Sequence, residues 1–347
     1  MNSEFYNQLV NIIEEKRVLC DEPMSKHTTF RVGGPADYFV MPKNTEEVQH
    51  VVSLCREHDM PYYVLGNGSN LLVSDKGYRG VIVQIYKEMN GIQIEGTTVN
   101  VQAGAFLSKI GSAALEASLT GFEFAAGIPG TVGGAVVMNA GAYGGETKDI
   151  LKSATVLTPD GEVLTLYNEE MELGYRTSII AKKDYVVLEA EYELQRGEQE
   201  AIRAKMDELK VQRVTKQPLE FPSAGSTFKR PEGYFAGKLI QDAGLRGFTV
   251  GGAQVSEKHC GFVINKVGAT ATDIRELIQQ VADKVMQEFG FDLFCSVSHF
   301  FFSRDYESGD TLYMTRVAID GYSLRNYKTV LAPLFDTEKV IDHANRP

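Results

Sequence analysis

The spacing of apolar residues divides this chain of 347 residues into short helices and strands. Residues 3–16 carry apolar side chains at helical spacing, and residues 272–289 do so again before Gly290, so both stretches are predicted to be helices. Asn44, followed three residues later by Glu47, resembles a capping pair that begins another helix. Further helices are predicted from Leu107 to Leu119, over 198–213 and over 236–243.

Strands are predicted where apolar side chains alternate or form short blocks between turn residues. Residues 92–103, which turn at Gly96, and residues 153–167, which turn at Pro159–Asp160–Gly161, each predict a β-hairpin. Single strands are predicted at 37–41, 61–65, 80–86, 185–194, 248–254, 260–265, 299–303 and 311–319. Because helices and strands are interspersed along the chain, an α+β fold is predicted.

The stretch from Gly121 to Glu146 is rich in small residues. It holds eight glycines and five alanines in 26 residues, so it presents backbone rather than side chains. Successive N–H groups in glycine-rich turns form concavities that hold anions, phosphate above all. Pro129 and the pair Gly133–Gly134 favour such turns. The alternative is a packed core crossing in which small residues let neighbouring strands approach closely.

A second glycine cluster, Gly66–Asn67–Gly68–Ser69–Asn70, follows the predicted strand at 61–65. A dinucleotide-binding fingerprint would need a third glycine at the position of Leu71, with a helix after it. Leu71 instead begins an apolar run that ends at Asp75–Lys76–Gly77, so a Rossmann fold is disfavoured. As a loop between two strands, the cluster offers N–H donors, a hydroxyl and two amides that suit a pyrophosphate.

Composition places the chain among ordinary globular proteins, with 43% hydrophobic and 23% charged residues. Its length predicts two or three domains. A net charge of −11 argues against a nucleic-acid partner, and the apolar runs are too short to cross a bilayer. The N-terminus lacks a signal-peptide pattern, so a cytoplasmic protein without a membrane partner is expected. Four cysteines without a CxxC pair and six histidines without HxH or HxxxH spacing predict no metal site.

Four motifs occur together in this chain. They are GNGSN at 66–70, AGIPGTVGGAVVMNAGAYG at 126–144, YRTSII at 175–180 and SAGSTFKRP at 223–231. Their order and spacing, over roughly residues 3–293, resemble the UDP-N-acetylenolpyruvoylglucosamine reductase family of flavoenzymes. The lack of a long insertion before Arg176 resembles the shorter of the two subtypes of that family.

The resemblance implies a fold and a reaction. The fold is a two-part FAD-binding module of the vanillyl-alcohol-oxidase type with a smaller α+β substrate domain. The implied segments are two FAD-binding subdomains at 1–75 and 76–197, a substrate domain at 198–293 and a divergent tail at 294–347. The reaction belongs to peptidoglycan synthesis: NADPH reduces FAD, hydride passes to C3 of the enolpyruvyl group of a UDP-sugar substrate, and protonation of C2 gives UDP-N-acetylmuramate. Protein partners are not specified by the resemblance.

The resemblance also implies roles for individual residues. Arg176 would stabilise the charge that hydride addition places on the substrate carboxylate, and Ser226 would donate the proton to C2. Without the resemblance, Arg176 would be interpreted as a surface ion-pair residue and Ser226 as a turn serine. The implied substrate-binding residues are Arg213, Lys216, Lys229 and His259. The implied FAD-binding residues are Gly66, Asn67, Gly68, Ser69, Asn70, Gly127, Ile128, Gly130, Gly133, Gly134 and Asn139.

The chain departs from the family pattern after Leu293. The family follows its last helix with a strand whose second glutamate assists protonation, and Ser296 stands in that position. Either a divergent C-terminus impairs catalysis, or the acid is relocated, with Glu307 and His299 as the nearest candidates. Three hypotheses follow: the reductase, a flavin- or UDP-sugar-binding homologue that no longer completes turnover, and an oxidase of the same flavin superfamily.

Overall fold

The computed structural model describes residues 3–303 and 313–317 of the chain, and these residues form two compact units. Unit 1 combines the described residues up to Glu22 with Pro35–Ser69 and Arg79–Thr215. Unit 2 combines Pro23–Gly34, Asn70–Tyr78 and the described residues from Lys216 onward. The four functional segments predicted from the sequence stay predictions.

The helices, in chain order, are α1 (Ser3–Ile12), α2 (Thr45–Glu57), α3 (Leu107–Glu116), α4 (Val132–Val137), α5 (Ile179–Lys182), α6 (Gln199–Lys216), α7 (Ala236–Asp242) and α8 (Ala271–Phe289). The strands are β1 (Val18–Pro23), β2 (Pro35–Val40), β3 (Tyr62–Leu65), β4 (Leu71–Val73), β5 (Tyr78–Gln84), β6 (Ile92–Glu95), β7 (Thr98–Gln102), β8 (Leu119–Thr120), β9 (Gly141–Ala142), β10 (Gly145–Glu146), β11 (Leu151–Leu157), β12 (Val163–Tyr167), β13 (Val186–Glu193), β14 (Gln195–Arg196), β15 (Thr249–Val250), β16 (Ala253–Val255), β17 (Val263–Asn265), β18 (Ser298–Ser303) and β19 (Tyr313–Val317).

The first sheet of unit 1 has the strand order β1-β2-β5-β3, and β3 runs parallel to β5. Apolar side chains of α1 and α2 share one buried cluster with those of β2 and β5. The predicted start of α2 is confirmed, because Asn44 Oδ1 accepts the Glu47 N–H at 2.9 Å. The Glu47 carboxylate in turn accepts two hydrogen bonds from buried Arg17, at 2.6 and 2.9 Å, which ties the start of α2 to the residue just before β1.

The second sheet of unit 1 is antiparallel, with the order β12-β11-β13-β7-β6. Both predicted hairpins are confirmed, since β6 pairs with β7 and β11 pairs with β12. Side chains along β13 alternate, with Ala190 and Tyr192 buried and Glu189 and Glu193 exposed. The buried face packs with α3 and α4 in the largest apolar core of this unit.

The pair Gly133–Gly134 lies inside α4, so its interpretation as turn residues was wrong. The Gly133 N–H donates to the carbonyl of Ala103 at 2.8 Å, and a β-carbon on Gly133 would lie only 3.2 Å from the Ala103 β-carbon. Gly133 is therefore explained in part by close packing, which is the alternative that the sequence left open. Two helix ends also differ: α1 stops at Ile12, and Leu119 belongs to β8 rather than to α3.

Unit 2 packs α7 and α8 with the small sheet β15-β16-β17. The predicted last helix is confirmed as α8, which ends at Gly290 with φ of 74°. Its first turn is capped twice. Thr270 Oγ1 accepts the Asp273 N–H at 3.0 Å, and the Asp75 carboxylate accepts the N–H groups of Ala271 and Thr272 at 2.8 and 2.9 Å.

A second sheet of unit 2 has the order β19-β18-β4, with β18 parallel to β4 and antiparallel to β19. The strand predicted at 299–303 is thereby confirmed. The strand predicted at 311–319 is confirmed over Tyr313–Val317, and its remaining residues lie outside the described ranges. Within residues 3–303 and 313–317, no helix combines the length and the apolar character that a bilayer crossing requires.

Candidate functional site

The loop that follows β3 contacts the glycine stretch within unit 1. Asn67 Nδ2 donates to the carbonyl oxygen of Pro129 at 2.8 Å. A β-carbon on Gly66 would lie 2.2 Å from Thr131 Oγ1, and one on Gly130 would lie 3.7 Å from Ser69 Oγ. The two glycine-rich segments therefore meet with almost no side chain between them, which fits the predicted cradle for a pyrophosphate.

Arg213 of α6 lies against the glycine stretch of the same unit. A β-carbon on Gly127 would lie 2.9 Å from Arg213 Nε. The Cζ atom of Arg213 lies 5.7 Å from the centre of the Tyr143 ring. Burial lowers the pKa of this guanidinium below its usual value. Arg213 was predicted to bind substrate, but its position places a cation beside the segment predicted to bind FAD.

Arg176 occupies a strained turn. Its φ is 59°, in the left-handed region that side chains other than glycine seldom adopt. Gly174 and Thr177 bridge across the turn by backbone hydrogen bonds of 3.1 and 3.4 Å. After the turn, Ser178 Oγ donates to the carbonyl of Val137 at 2.7 Å and accepts the Ala181 N–H, so it also begins α5.

Thr177 is a residue that the sequence reasoning did not single out. Its Oγ1 is buried and has no hydrogen-bond partner in the part of the chain that the structure describes. Such a hydroxyl is costly unless a ligand or water binds it. Only its place next to Arg176 in the YRTSII motif could have indicated it.

Asn139 lies at the end of α4 and is 2% exposed. Its Nδ2 donates to Glu146 Oε2 at 3.0 Å and to the carbonyl of Gly174 at 3.1 Å, and its Oδ1 accepts the Lys148 N–H at 2.9 Å. The sequence predicted Asn139 as an FAD-binding residue, and this assignment stays a prediction. The structure shows its side chain bonded to the turn that carries Arg176.

Ser226 lies exposed on unit 2, next to fully buried Thr227. The Thr227 N–H donates to the carbonyl of Gly261 at 2.8 Å, its Oγ1 accepts the Val263 N–H at 3.1 Å, and its carbonyl accepts the Ser296 N–H at 2.7 Å. The backbone that carries Ser226 is therefore held on two sides. Ser226 itself is exposed at the surface of the unit.

His259 faces the same small space as Ser226. A β-carbon on Gly261 would lie 3.0 Å from His259 Cε1 and 3.5 Å from Ser226 Oγ. His259 Nδ1 accepts the Gly261 N–H at 3.1 Å, so the proton of the neutral ring is assigned to Nε2. Burial lowers the pKa of His259, which favours this neutral form.

Residues 294–297 run beside the segment that follows Ser226. The Lys229 N–H donates to the carbonyl of Phe294 at 2.8 Å, and Asn70 Nδ2 donates to the carbonyl of Ser296 at 3.2 Å. Burial raises the pKa of the Cys295 thiol to about 12, and its Sγ donates to the carbonyl of Thr227 at 3.3 Å. Ser296 is thus placed next to the Ser226 segment by its backbone.

Three other predicted residues lie away from these segments or outside the described residues. Lys216 is the exposed last residue of α6. His299 lies in β18, and Glu307 lies outside the described residues.

Comparisons with known protein families agree with this geometry. The sequence model of an FAD binding domain matches residues 36–167, which include both glycine-rich segments. The chain is therefore a flavoprotein, and the prediction of FAD as its cofactor is confirmed.

A second family model, the C-terminal domain of UDP-N-acetylenolpyruvoylglucosamine reductase, matches residues 217–299. The chain is 56% identical over 297 residues to the reductase of that name from Lachnoclostridium phytofermentans, covering 84% of this chain and 96% of the relative. It is 55% identical over 294 residues to the Clostridium perfringens enzyme, covering 85% and 96%. The chain belongs to the UDP-N-acetylenolpyruvoylglucosamine reductase family, as the motifs predicted.

A solved structure supports the same assignment. The crystal structure of UDP-N-acetylenolpyruvylglucosamine reductase from Thermus caldophilus is 35% identical and superposes with a TM-score of 0.70, covering 81% of this chain and 97% of that one. The predicted fold class is confirmed by these matches. The C-terminal family match continues through Ser296 to residue 299, and the comparisons give no support to the alternative of a catalytically impaired homologue.

Proposed function

We propose that this chain reduces UDP-N-acetylenolpyruvoylglucosamine to UDP-N-acetylmuramate in peptidoglycan synthesis, with FAD as cofactor and NADPH as reductant. The family to which the chain belongs supports the reductase over an oxidase. Bound FAD supplies the hydride chemistry of the reaction. The residues of the chain bind the two ligands, stabilise the charge that develops on the substrate and deliver a proton to C2.

The observation that carries this proposal is the placement of Ser226 on unit 2. Its side chain is exposed, while the adjacent Thr227 is completely buried and hydrogen-bonded through its N–H, its hydroxyl and its carbonyl. A hydroxyl is a weak acid in water, so it serves as a proton donor only when it is held against the atom that it protonates. An exposed serine on a fixed backbone is the arrangement that this role requires.

Arg176 is proposed to bind the substrate carboxylate. Hydride addition at C3 moves negative charge onto that carboxylate, and a guanidinium binds such charge through paired hydrogen bonds. A cation that is held in place before the reaction stabilises this charge without reorganising, and the strained backbone of Arg176 fits such a fixed position. The partnerless hydroxyl of Thr177 is proposed as an additional contact to the same ligand.

The two glycine-rich segments are proposed to hold the FAD pyrophosphate on their backbone N–H groups. Arg213, half-buried beside Gly127, would add a positive charge to this pyrophosphate site. Lys216, Lys229 and His259 remain proposed contacts to the UDP sugar. The four cysteines form no disulfide, which fits a cytoplasmic location, and that location is proposed here.

The test is to measure the two half-reactions separately by flavin absorbance under anaerobic conditions. Arg176→Ala and Ser226→Ala should leave NADPH-dependent bleaching largely intact and slow the substrate-dependent return of colour by about 10²–10³-fold, as loss of one preorganised donor does. Arg203→Ala and Ser108→Ala, which change exposed helix residues, serve as controls. Unchanged reoxidation in both site variants would refute the assigned roles.

A further inference from the structure

We propose that Asn139 is a positioning residue for Arg176, and that its side-chain amide holds the turn Gly174–Thr177 in the strained form that aims the guanidinium. This inference deepens the proposed function and rests on it for the role of Arg176. It assigns to Asn139 a task other than the cofactor contact predicted from the sequence. The contacts that carry it all lie within unit 1.

The amide of Asn139 is used almost completely inside the protein. A side-chain amide has two N–H donors and one carbonyl oxygen. Both donors are engaged, one with Glu146 Oε2 at 3.0 Å and one with the Gly174 carbonyl at 3.1 Å, and the oxygen accepts the Lys148 N–H at 2.9 Å. Since the residue is 2% exposed, little of the side chain is left to bind a cofactor.

The turn that Asn139 reaches needs outside support. A left-handed φ of 59° at an arginine is unfavourable by itself and persists only where surrounding contacts impose it. The bond from Asn139 fixes the turn at Gly174, before Arg176. The bond from Ser178 Oγ to Val137 fixes it after Arg176. One hydrogen bond reaches Val137, the last residue of α4, and the other comes from Asn139, two positions beyond it, so Arg176 lies between two anchored points.

The charges around Asn139 also favour the orientation of its side-chain amide. Glu146 pairs with Lys148, whose Nζ lies 2.8 Å from Glu146 Oε2. The pKa of Glu146 lies below its usual value, chiefly because of the Lys148 hydrogen bond and to a smaller extent because of the Asn139 amide and the charges of Lys148 and Arg176. Glu146 is therefore ionised at neutral pH. Asn139 donates to this carboxylate while it holds the turn that carries the arginine.

Loss of the amide should therefore disturb the arginine and spare the flavin. We expect Asn139→Gly to slow substrate-dependent flavin reoxidation by about 10-fold to 100-fold, the effect of a displacement near 1 Å in a reacting group. Glycine removes the amide and keeps the backbone conformation, because the φ of 42° at this position suits glycine. Asn139→Asp is a second variant that keeps the acceptor for Lys148 and places a carboxylate oxygen against Glu146 and Gly174.

Asn168 provides a matched control. Its Nδ2 also donates to two backbone carbonyls, those of Lys148 at 2.7 Å and Leu151 at 2.6 Å. Asn168→Ala removes an equivalent pair of bonds from the same unit without touching the Arg176 turn. We expect its FAD content and both half-reactions to stay within about twofold of the unmodified protein, as for substitutions away from the site.

The experiment measures FAD content, both half-reactions and amide hydrogen exchange of residues 174–178 in each variant, alone and combined with Arg176→Ala. We expect faster exchange in this segment, normal FAD content and slower reoxidation in Asn139→Gly. We also expect no further slowing when Asn139→Gly is added to Arg176→Ala, because Asn139 acts through the arginine.

Three results would overturn the proposal. One is loss of FAD with normal transfer from the flavin that remains, which would make Asn139 a cofactor ligand. The second is an additive effect in the Arg176→Ala background, and the third is unchanged exchange at 174–178. Normal reoxidation in Arg176→Ala would instead refute the catalytic role of Arg176. Faster exchange at 174–178 in Asn139→Gly would in that case still support the hydrogen bond from Asn139 as the contact that holds the turn.

Discussion

Thr227→Val gives a direct test of how the Ser226 segment is held. Thr227 is completely buried, and its Oγ1 accepts the N–H of Val263 at 3.1 Å. Valine has nearly the same shape as threonine but lacks the acceptor, so this N–H would be buried without a partner. An unpaired buried donor costs about 1–3 kcal/mol. Thr227→Ser keeps the acceptor and loses one methyl group, which costs about 1 kcal/mol.

We therefore expect valine to destabilise unit 2 at least as much as serine does, although valine preserves the packed volume. Urea unfolding at saturating FAD, with the slope of the transition unchanged, measures the difference. Hydrogen exchange at the Val263 amide reports the broken bond itself. Substrate-dependent reoxidation should slow in Thr227→Val and recover in Thr227→Ser, because Ser226 depends on this bond for its position. A valine variant more stable than the serine variant, with a protected Val263 amide, would refute the reasoning.

Two further predictions concern the cofactor loops and pH. Gly66→Ala should lower FAD occupancy, because its β-carbon would lie 2.2 Å from Thr131 Oγ1, and adding Thr131→Ala should restore the occupancy. The absorbance of the bound flavin measures FAD occupancy in both variants. If the double variant does not recover FAD, a purely steric cause is refuted. Burial lowers the pKa of His259, so the unfolded chain binds this proton more tightly. Stability should therefore fall as pH drops from 7 towards 5, below the ordinary pKa of about 6.5, and His259→Gln should lose this part of the dependence. An unchanged pH dependence in that variant would contradict the assignment.

Local sequence patterns determined most of the elements. The helical spacing of apolar residues and the terminal Gly290 predicted α8, and Asn44 with Glu47 predicted the start of α2. Both patterns involve residues within a few positions of one another, where the backbone alone sets which side chains meet. The four motifs were specific enough to indicate the family, because they occur together in one order and spacing.

Residue roles were harder to predict, because a residue type does not say which distant group it will contact. Gly133 looked like a turn residue, and its neighbour Ala103 lies 30 positions earlier in the chain, arriving only when α4 packs against the end of β7. Arg213 was predicted to bind substrate, and only the packing of α6 showed that its side chain lies against Gly127. The outcome in each case depended on long-range packing rather than on the local sequence.

The sequence by itself determined most element types and the family to which the chain belongs. Tertiary structure alone decided what holds Arg176 and Ser226 in place. Asn139 bonds to Gly174 across 35 positions of chain, and Thr227 bonds to Val263 across 36. Periodicity is a local property and carries no information on such pairs, whereas each hydrogen bond exists only after the folded chain has brought a buried donor and acceptor within about 3 Å.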